Sequence, residues 1–307
     1  MGSLLRPEIL LLHAMSLLAA PLLPGLIGRT KAIVAGRTGP PLLQGYSDLW
    51  KLLRKGAVYS RMTSWIFRAG PVAGLAAIVT AWCLLPSWGV AAPLSFRGDL
   101  VLFVYLLGLA RFLTVLAALD TGSSFEGMGA SREITFSALA EPALFLALAT
   151  LARATGAFSL SGMLGGGVTQ AWGPSGSALA LTAVCLFVVL LAENSRIPVD
   201  DPNTHLELTM IHEVMVLDHG GPDLAFIQYG AALKLWIFEA LLTGLILPVR
   251  TGQFLPDAAA FLLGMISVSV IIGVVESIMA RLQLSRVPQL LIGAGALAAF
   301  GLILTVR

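Results

Sequence analysis

Residues 175–194 read SGSALALTAVCLFVVLLAEN, eighteen uncharged positions followed by Glu193 and Asn194. An α-helix of about 20 mostly apolar residues crosses the hydrocarbon core of a bilayer, so this stretch predicts a membrane span. Seven more runs of the same kind lie at 8–28, 65–87, 99–119, 132–152, 224–248, 257–280 and 288–305. The whole chain agrees: of 307 residues, 57% are hydrophobic and only 12% charged, with a mean hydropathy of +0.88. Soluble domains carry about 25% charged residues, so this sequence cannot clothe a water-facing surface. That excludes a soluble enzyme, a disordered chain and a nucleic-acid binder. The 32 Gly and 16 Pro suit a helical membrane protein, where both are tolerated. The expected fold is an all-α integral membrane protein of eight transmembrane helices, one polytopic domain over 1–307.

The first apolar run is long and has no A-x-A-like end, so it reads as an anchor rather than a cleaved signal. Cys83 and Cys185 both fall inside apolar runs, and no Cys-x-x-Cys exists, so this chain is expected to hold no iron–sulfur cluster or zinc. Loop 1–2 holds seven cations and loops 3–4, 5–6 and 7–8 add Arg132, Arg196, Arg281 and Arg286, whereas the opposite side has five. The positive-inside rule therefore places the odd-to-even loops in the cytoplasm and both termini outside, in a plasma (inner) membrane. Between the first two spans, Leu42, Leu49, Leu52 and Leu53 recur at helical spacing opposite Asp48, Lys51, Arg54 and Lys55. Too short and too charged to cross, segment 42–55 predicts an amphipathic helix lying along the cytoplasmic interface.

Ionisable groups at membrane depth are costly and mark function by default. Glu133, Ser137 and Glu141 fall on nearly one helix face, with about 12 Å between the carboxylates, a gap that Ser137 and waters could bridge. Carboxylates simply bonded to neighbouring helices are the plainer alternative. Glu193 and Arg196 stand three apart at the end of a span, close enough to pair. Loop 195–223 then carries six acids, Asp200, Asp201, Glu207, Glu213, Asp218 and Asp223, against one arginine. A solvated acidic loop is one reading. The interleaved Leu206, Leu208, Met210, Ile211, Val214, Met215 and Leu217 would instead leave an apolar patch that a partner subunit should cover. His205, Glu207, His212 and His219 raise the question of a metal, but no second His follows His212-Glu213 at zincin spacing, so none is expected. Lys234 and Glu239 lie about 140° apart on one helix and Glu276 stands alone, so each wants a partner on another helix. Gly293-Ala-Gly295 mimics a dinucleotide loop but lies inside the last span with no strand before it.

Taken in order, these residues resemble a known family. They are Arg37-Thr-Gly39-Pro40 through Gln44, Asp48 and Lys51, then Leu119-Asp120-Thr121-Gly122-Ser123 and Gly129-Ala130-Ser131-Arg132-Glu133 with Glu141-Pro142. Glu193-x-x-Arg196-x-Pro198-x-Asp200 through Glu207-Leu208 follows, and Glu276-Ser-x-Met-Ala-Arg281 closes the set. The chain is similar to the complex I subunit 1 family, which forms the quinone chamber of respiratory complex I. Within it, Leu119–Ser123, Gly129–Glu133 and His205–Asp218 resemble the branch found in formate hydrogenlyase-type, energy-converting nickel–iron hydrogenases. Asn203 and His205 stand where the family usually has acids, which leaves Glu207 alone of that trio.

The resemblance implies a non-catalytic coupling subunit of an oxidoreductase complex. Its partners would be hydrogenase-like large and small subunits, a ferredoxin-like iron–sulfur subunit and antiporter-like membrane subunits. Those partners would hold the iron–sulfur clusters and nickel–iron centre, this chain binding no cofactor of its own. Charge transfer would run through Glu133, Glu141, Glu193, Asp200 and Glu207, with Arg196 holding Glu193. Arg37, Gln44, Asp48, Lys51, Arg132 and Glu213 would line an interface or cavity. Two other readings stay open. One is a quinone site between the interfacial helix and spans 1 and 6. The other is a stand-alone carrier using Lys234 and Glu239.

The topology has a direct test. Cysteine placed at Arg54 should resist a membrane-impermeant thiol reagent in intact cells and react once the membrane is opened. Labelling from outside would invert the proposed orientation.

Overall fold

The computed structural model describes residues 7–200, 210–248 and 251–306, and among these the regular structure is helical, with no β-strand. Glu207 and the rest of 201–209 lie outside the described residues, as do Arg250 and both chain ends. Eight crossings are present when the bent first pair is counted as one. That pair is α1 (Pro7–Ala19) and α2 (Leu22–Val34), inclined at 42°. The run at 8–28 reads as one straight helix. Pro21 and Pro24 instead remove two backbone donors, and the chain breaks there and continues to Val34. The short α3 (Gln44–Leu53) occupies the centre of the amphipathic segment and buries none of its residues.

The remaining crossings are α4 (Trp65–Cys83), α5 (Asp99–Asp120) and α6 (Ser124–Thr155). A single turn, α7 (Leu160–Gly162), leads through a π-turn at Met163–Gly167 into α8 (Val168–Glu193). Next come α9 (Gly221–Ile246), α10 (Phe254–Ile278) and α11 (Val287–Val306). Helix α6 is 32 residues long, about 48 Å, and so begins eight positions before the apolar run at 132–152. Pro174 precedes a kink at Ser175, the first residue of the run at 175–194, and the helix itself starts earlier. Helix α4 packs between α5 and α9, α11 lies against α6 and α8, and α10 against α2.

Loop 210–219 folds back onto this bundle. Met210, Ile211, Val214 and Met215 are buried, with Ile211 beside Phe136 and Ala140 of α6 and Met215 beside Val115 and Ala118 of α5. The described part of the expected exposed patch is therefore covered from within. The chain's own α5 and α6 supply the apolar surface that a partner was expected to bring. Leu217 alone of the described apolar set stays exposed. Gly129 makes the close approach possible. A Cβ there would stand 2.3 Å from Val214 Cγ1 and 2.8 Å from the Ile211 carbonyl.

Gly129→Ala should lift the loop off α6, at a cost of about 1–3 kcal/mol. The expected result is a lower melting temperature in detergent and faster proteolysis within 211–219. Gly127→Ala, where a Cβ meets nothing within 4 Å, is the control and should melt as wild type.

Candidate functional site

Arg111 lies midway along α5, and its side chain is 7% exposed. A guanidinium presents five donors in a fixed fork and remains charged at any ordinary pH, so at this depth it must gather acceptors. It gathers three carboxylates. Nε stands 3.0 Å from Glu133 Oε1, Nη1 donates to Glu141 Oε1, and Nη2 donates to both oxygens of Glu193. Glu193 also receives Lys234 Nζ at 2.7 Å from α9. Glu133 and Glu193 are buried, whereas the Glu141 side chain is 42% exposed, so Glu141 is the member of this trio with access outward. Gly108 on α5 leaves the room: a Cβ there would lie 3.3 Å from Glu141 Oε1.

The chain of pairs continues toward the loop. His212 Nε2 stands 3.1 Å from Glu133 Oε2, and its Nδ1 lies 3.2 Å from Asp200 Oδ2. Arg281 Nη2 approaches the other Asp200 oxygen at 3.0 Å. The Leu282 amide donates to the Pro198 carbonyl at 2.9 Å, which sets the segment after α10 against the turn carrying Asp200. Burial works against a charged His212, but Glu133 and Asp200 outweigh it and push the imidazole up to about 9. Burial likewise raises the Asp200 carboxyl, yet His212 and Arg281 together hold it below the usual range. Among the described residues, the cations Arg111, Lys234, His212 and Arg281 match the anions Glu133, Glu141, Glu193 and Asp200 in number when His212 is protonated.

Several pairings differ from the sequence expectation. Arg196 does not hold Glu193. Helix α8 ends at Glu193 and Ser195 takes φ 54°, so the three-residue spacing no longer lies on one helix face. Arg196 instead faces Glu276 Oε1 at 3.5 Å, and Lys31 of α2 holds the other oxygen at 2.9 Å. Ser137 does not bridge Glu133 and Glu141. Its hydroxyl donates to the Ile134 carbonyl, and Arg111 joins the two acids. Lys234 and Glu239 part company as their 140° separation requires, Glu239 accepting from Ser269 of α10 at 2.7 Å. Arg132 clasps the loop through the Met210 carbonyl at 2.9 Å. Asp48 and Lys51 pair with each other at the surface, 3.4 Å apart. Arg111 and His212 carry the series, and sequence reasoning gave neither a role in it. The signal for Arg111 was present: it is the single charge between Asp99 and Asp120.

A cavity of about 540 Å³ opens beside this chain of pairs. Its walls are small or apolar, including Gly70, Pro71, Gly74 and Ile78 of α4 and Gly230 of α9, and one end carries Arg111, Glu133, Glu193 and Lys234. Glu213 lines it. Gln44, Asp48, Lys51 and Arg132 do not, and Arg37 belongs to a separate recess with Lys31 and Gly39. The cavity thus lies between α4, α5 and α9 and reaches Pro24 of α2, so it takes in spans 1 and 6 of the quinone reading but no residue of α3. Among the described residues, no group of three His, Cys, Asp or Glu side chains is arranged to hold a metal ion.

Residues 8–306 match the family model described as NADH dehydrogenase. The chain belongs to that NADH dehydrogenase family. Two relatives from Escherichia coli (strain K12) are each 32% identical. Hydrogenase-4 component C matches over 86% of this chain and 84% of its own length, and formate hydrogenlyase subunit 4 over 91% and 92%. An NADH-quinone oxidoreductase subunit of Rickettsia prowazekii (strain Madrid E) is 24% identical over 70% of this chain and 61% of its own. The fold is shared with a chain in the structure of the membrane-bound sulfane sulfur reductase, an archaeal respiratory membrane complex. The TM-score is 0.82 at 23% identity, covering 97% of this chain and 98% of that one. This NADH dehydrogenase-family chain is therefore a multi-pass membrane subunit of the complex I-like respiratory class.

His212 gives this family member a pH dependence of definite sign. Its folded value near 9 lies above the free value of 6.5. Its contribution to stability is therefore fully present below 6.5 and is lost as pH rises through about 9. Melting in detergent should fall across that window, and His212→Gln should remove the dependence. A slope unchanged by the substitution would assign the titration elsewhere.

Proposed function

We propose that this chain is the membrane coupling subunit of an energy-converting, hydrogenase-like respiratory complex, linking a peripheral redox module to translocation of H+ or Na+. The two Escherichia coli relatives support the hydrogenase branch by name and by coverage. The observation that carries the coupling role is the unbroken series of ion pairs from Arg281 and Asp200 through His212, Glu133, Arg111 and Glu193 to Lys234. It runs from an inter-helix loop into the middle of α9. The partners in this reading are hydrogenase-like large and small subunits, a ferredoxin-like iron–sulfur subunit and antiporter-like membrane subunits. The first three hold the redox centres and dock on the cytoplasmic loops. Arg37, Gln44, Asp48, Lys51, Arg132, Glu213 and the undescribed Glu207 serve that interface.

The physical logic is charge compensation. In low dielectric, adding a negative charge beside the loop favours a proton entering the network, and removing it favours release. Arg111 cannot give up its proton, so the carboxylates and His212 are the groups that respond. Glu141 is the one of Arg111's three carboxylates with substantial exposure, which suits it to exchange a proton with a neighbouring membrane subunit.

The cavity favours a second reading, a quinone-type ligand with its head at Arg111 and His212 and its tail along α4 and α9. Dependence of the intact complex on added quinone separates the two.

Glu141→Gln preserves shape and loses the titrating proton. It is expected to leave assembly and redox turnover intact while cutting ion uptake into vesicles tenfold or more. Normal pumping in that variant removes Glu141 from the path.

A further inference from the structure

Glu239 is fully buried in the middle of α9, five residues beyond Lys234 and about 7.5 Å further along the axis. Its Oε2 accepts a hydrogen bond from Ser269 Oγ at 2.7 Å, and its Oε1 makes none. Among the described residues no cation pairs with it.

Arg196 is the complementary oddity. Its side chain is 13% exposed, its Nε makes no hydrogen bond, and its one ion pair is a long 3.5 Å contact with Glu276. Glu276 is already held by Lys31 at 2.9 Å. One carboxylate thus has two cations and the other has none. Ser269 and Glu276 stand seven residues apart, two turns on one face of α10, about 10.5 Å. The side chain of Arg196 therefore has a partner at one end of this stripe and an unfilled acceptor toward the other.

Among the described residues, the elements around α9 offer Glu239 no other cation. Helix α8 brings Glu193, committed to Arg111 and Lys234; α2 brings Lys31, committed to Glu276, and Arg29, which is exposed; and α10 adds Asp257, which accepts from Thr251. Helix α4 has only Arg68, stacked over Tyr59 at 4.4 Å, and the charges of α3, Asp48 and Lys51, pair with each other. The π-turn before α8 has no charge. An ionised carboxylate buried without a cation is costly, so an unpaired Glu239 keeps its proton.

We propose that Glu239 is a second proton-holding site of this subunit and that Arg196 reads its state. Arg196 stays with Glu276 while Glu239 is protonated and pairs with Glu239 once the proton leaves. The step breaks only the Glu239 O–H bond. The proton passes to water in the cavity that Arg196 and Lys234 line, and the guanidinium charge moves in to balance the carboxylate. This rests on the coupling role only for what the proton is used for.

Infrared difference spectroscopy of the intact complex in membranes tests it without turnover. Wild type minus Glu239→Gln should show the carbonyl stretch of a protonated carboxyl, and Ser269→Ala should shift that band. Glu276→Gln frees Arg196 to move, so the band should vanish although Glu239 is present. The double variant Glu276→Gln with Arg196→Gln should restore it. A difference spectrum without the band overturns the proton site. A band indifferent to Glu276→Gln overturns the arginine switch. Neither result bears on whether Glu141 carries pumped ions.

Discussion

The charge of Arg111 has to be matched at a depth where water is scarce. A bare ion in such surroundings costs many kilocalories per mole, and loss of one member of a buried pair typically costs about 3–5 kcal/mol. Helices α5, α6 and α8 are tied by this requirement, because the carboxylates of α6 and α8 must reach the one guanidinium on α5. The fork geometry fixes direction as well as charge for two of them, Glu141 accepting from Nη1 and Glu193 from Nη2, while Glu133 forms an ion pair beside Nε. His212 then reaches the second Glu133 oxygen from the loop, and Lys234 adds a second cation to Glu193 from α9. To the apolar contacts of the bundle these pairs add a defined register between α5, α6, α8 and α9.

The eight crossings were legible because each is a run of apolar residues near the length a bilayer demands. Their ends were less so. Residues 124–131 contain Glu126, Gly127 and Gly129 and do not read as a span, yet they continue α6 because loop 210–219 covers them. The bend after Ala19 hides inside an unbroken apolar run, where only Pro21 and Pro24 mark it. Most of the acids in the charge chain were visible as buried carboxylates. Their partners were not, since pairing depends on which faces of distant helices meet, and spacing along one helix says nothing of that. Glu193 shows the difference. Arg196 is its neighbour in sequence, but the helix stops between them and the true partners come from α5 and α9.

A second population of charges, Lys31, Arg196, Glu276 and Glu239, is spread over α2, α9, α10 and the turn after α8. The two groups meet end to end near α9, where Lys234 belongs to one and Glu239 to the other. The arrangement gives the subunit two separate clusters of charge, one gathered on Arg111 and the other on Glu276.

The length of α6 has a mechanical consequence. The end that receives the loop and the residue that faces outward, Glu141, lie on one continuous helix, with about five turns between Ser124 and Glu141. Pro142 follows immediately and takes away a backbone donor. The bond it takes away is the one to the Ala138 carbonyl, so the first turns of α6 form a continuous strut and the turn 138–142, which carries Glu141, is the compliant one. A displacement of the loop end would be carried along that strut to the turn of Glu141 itself.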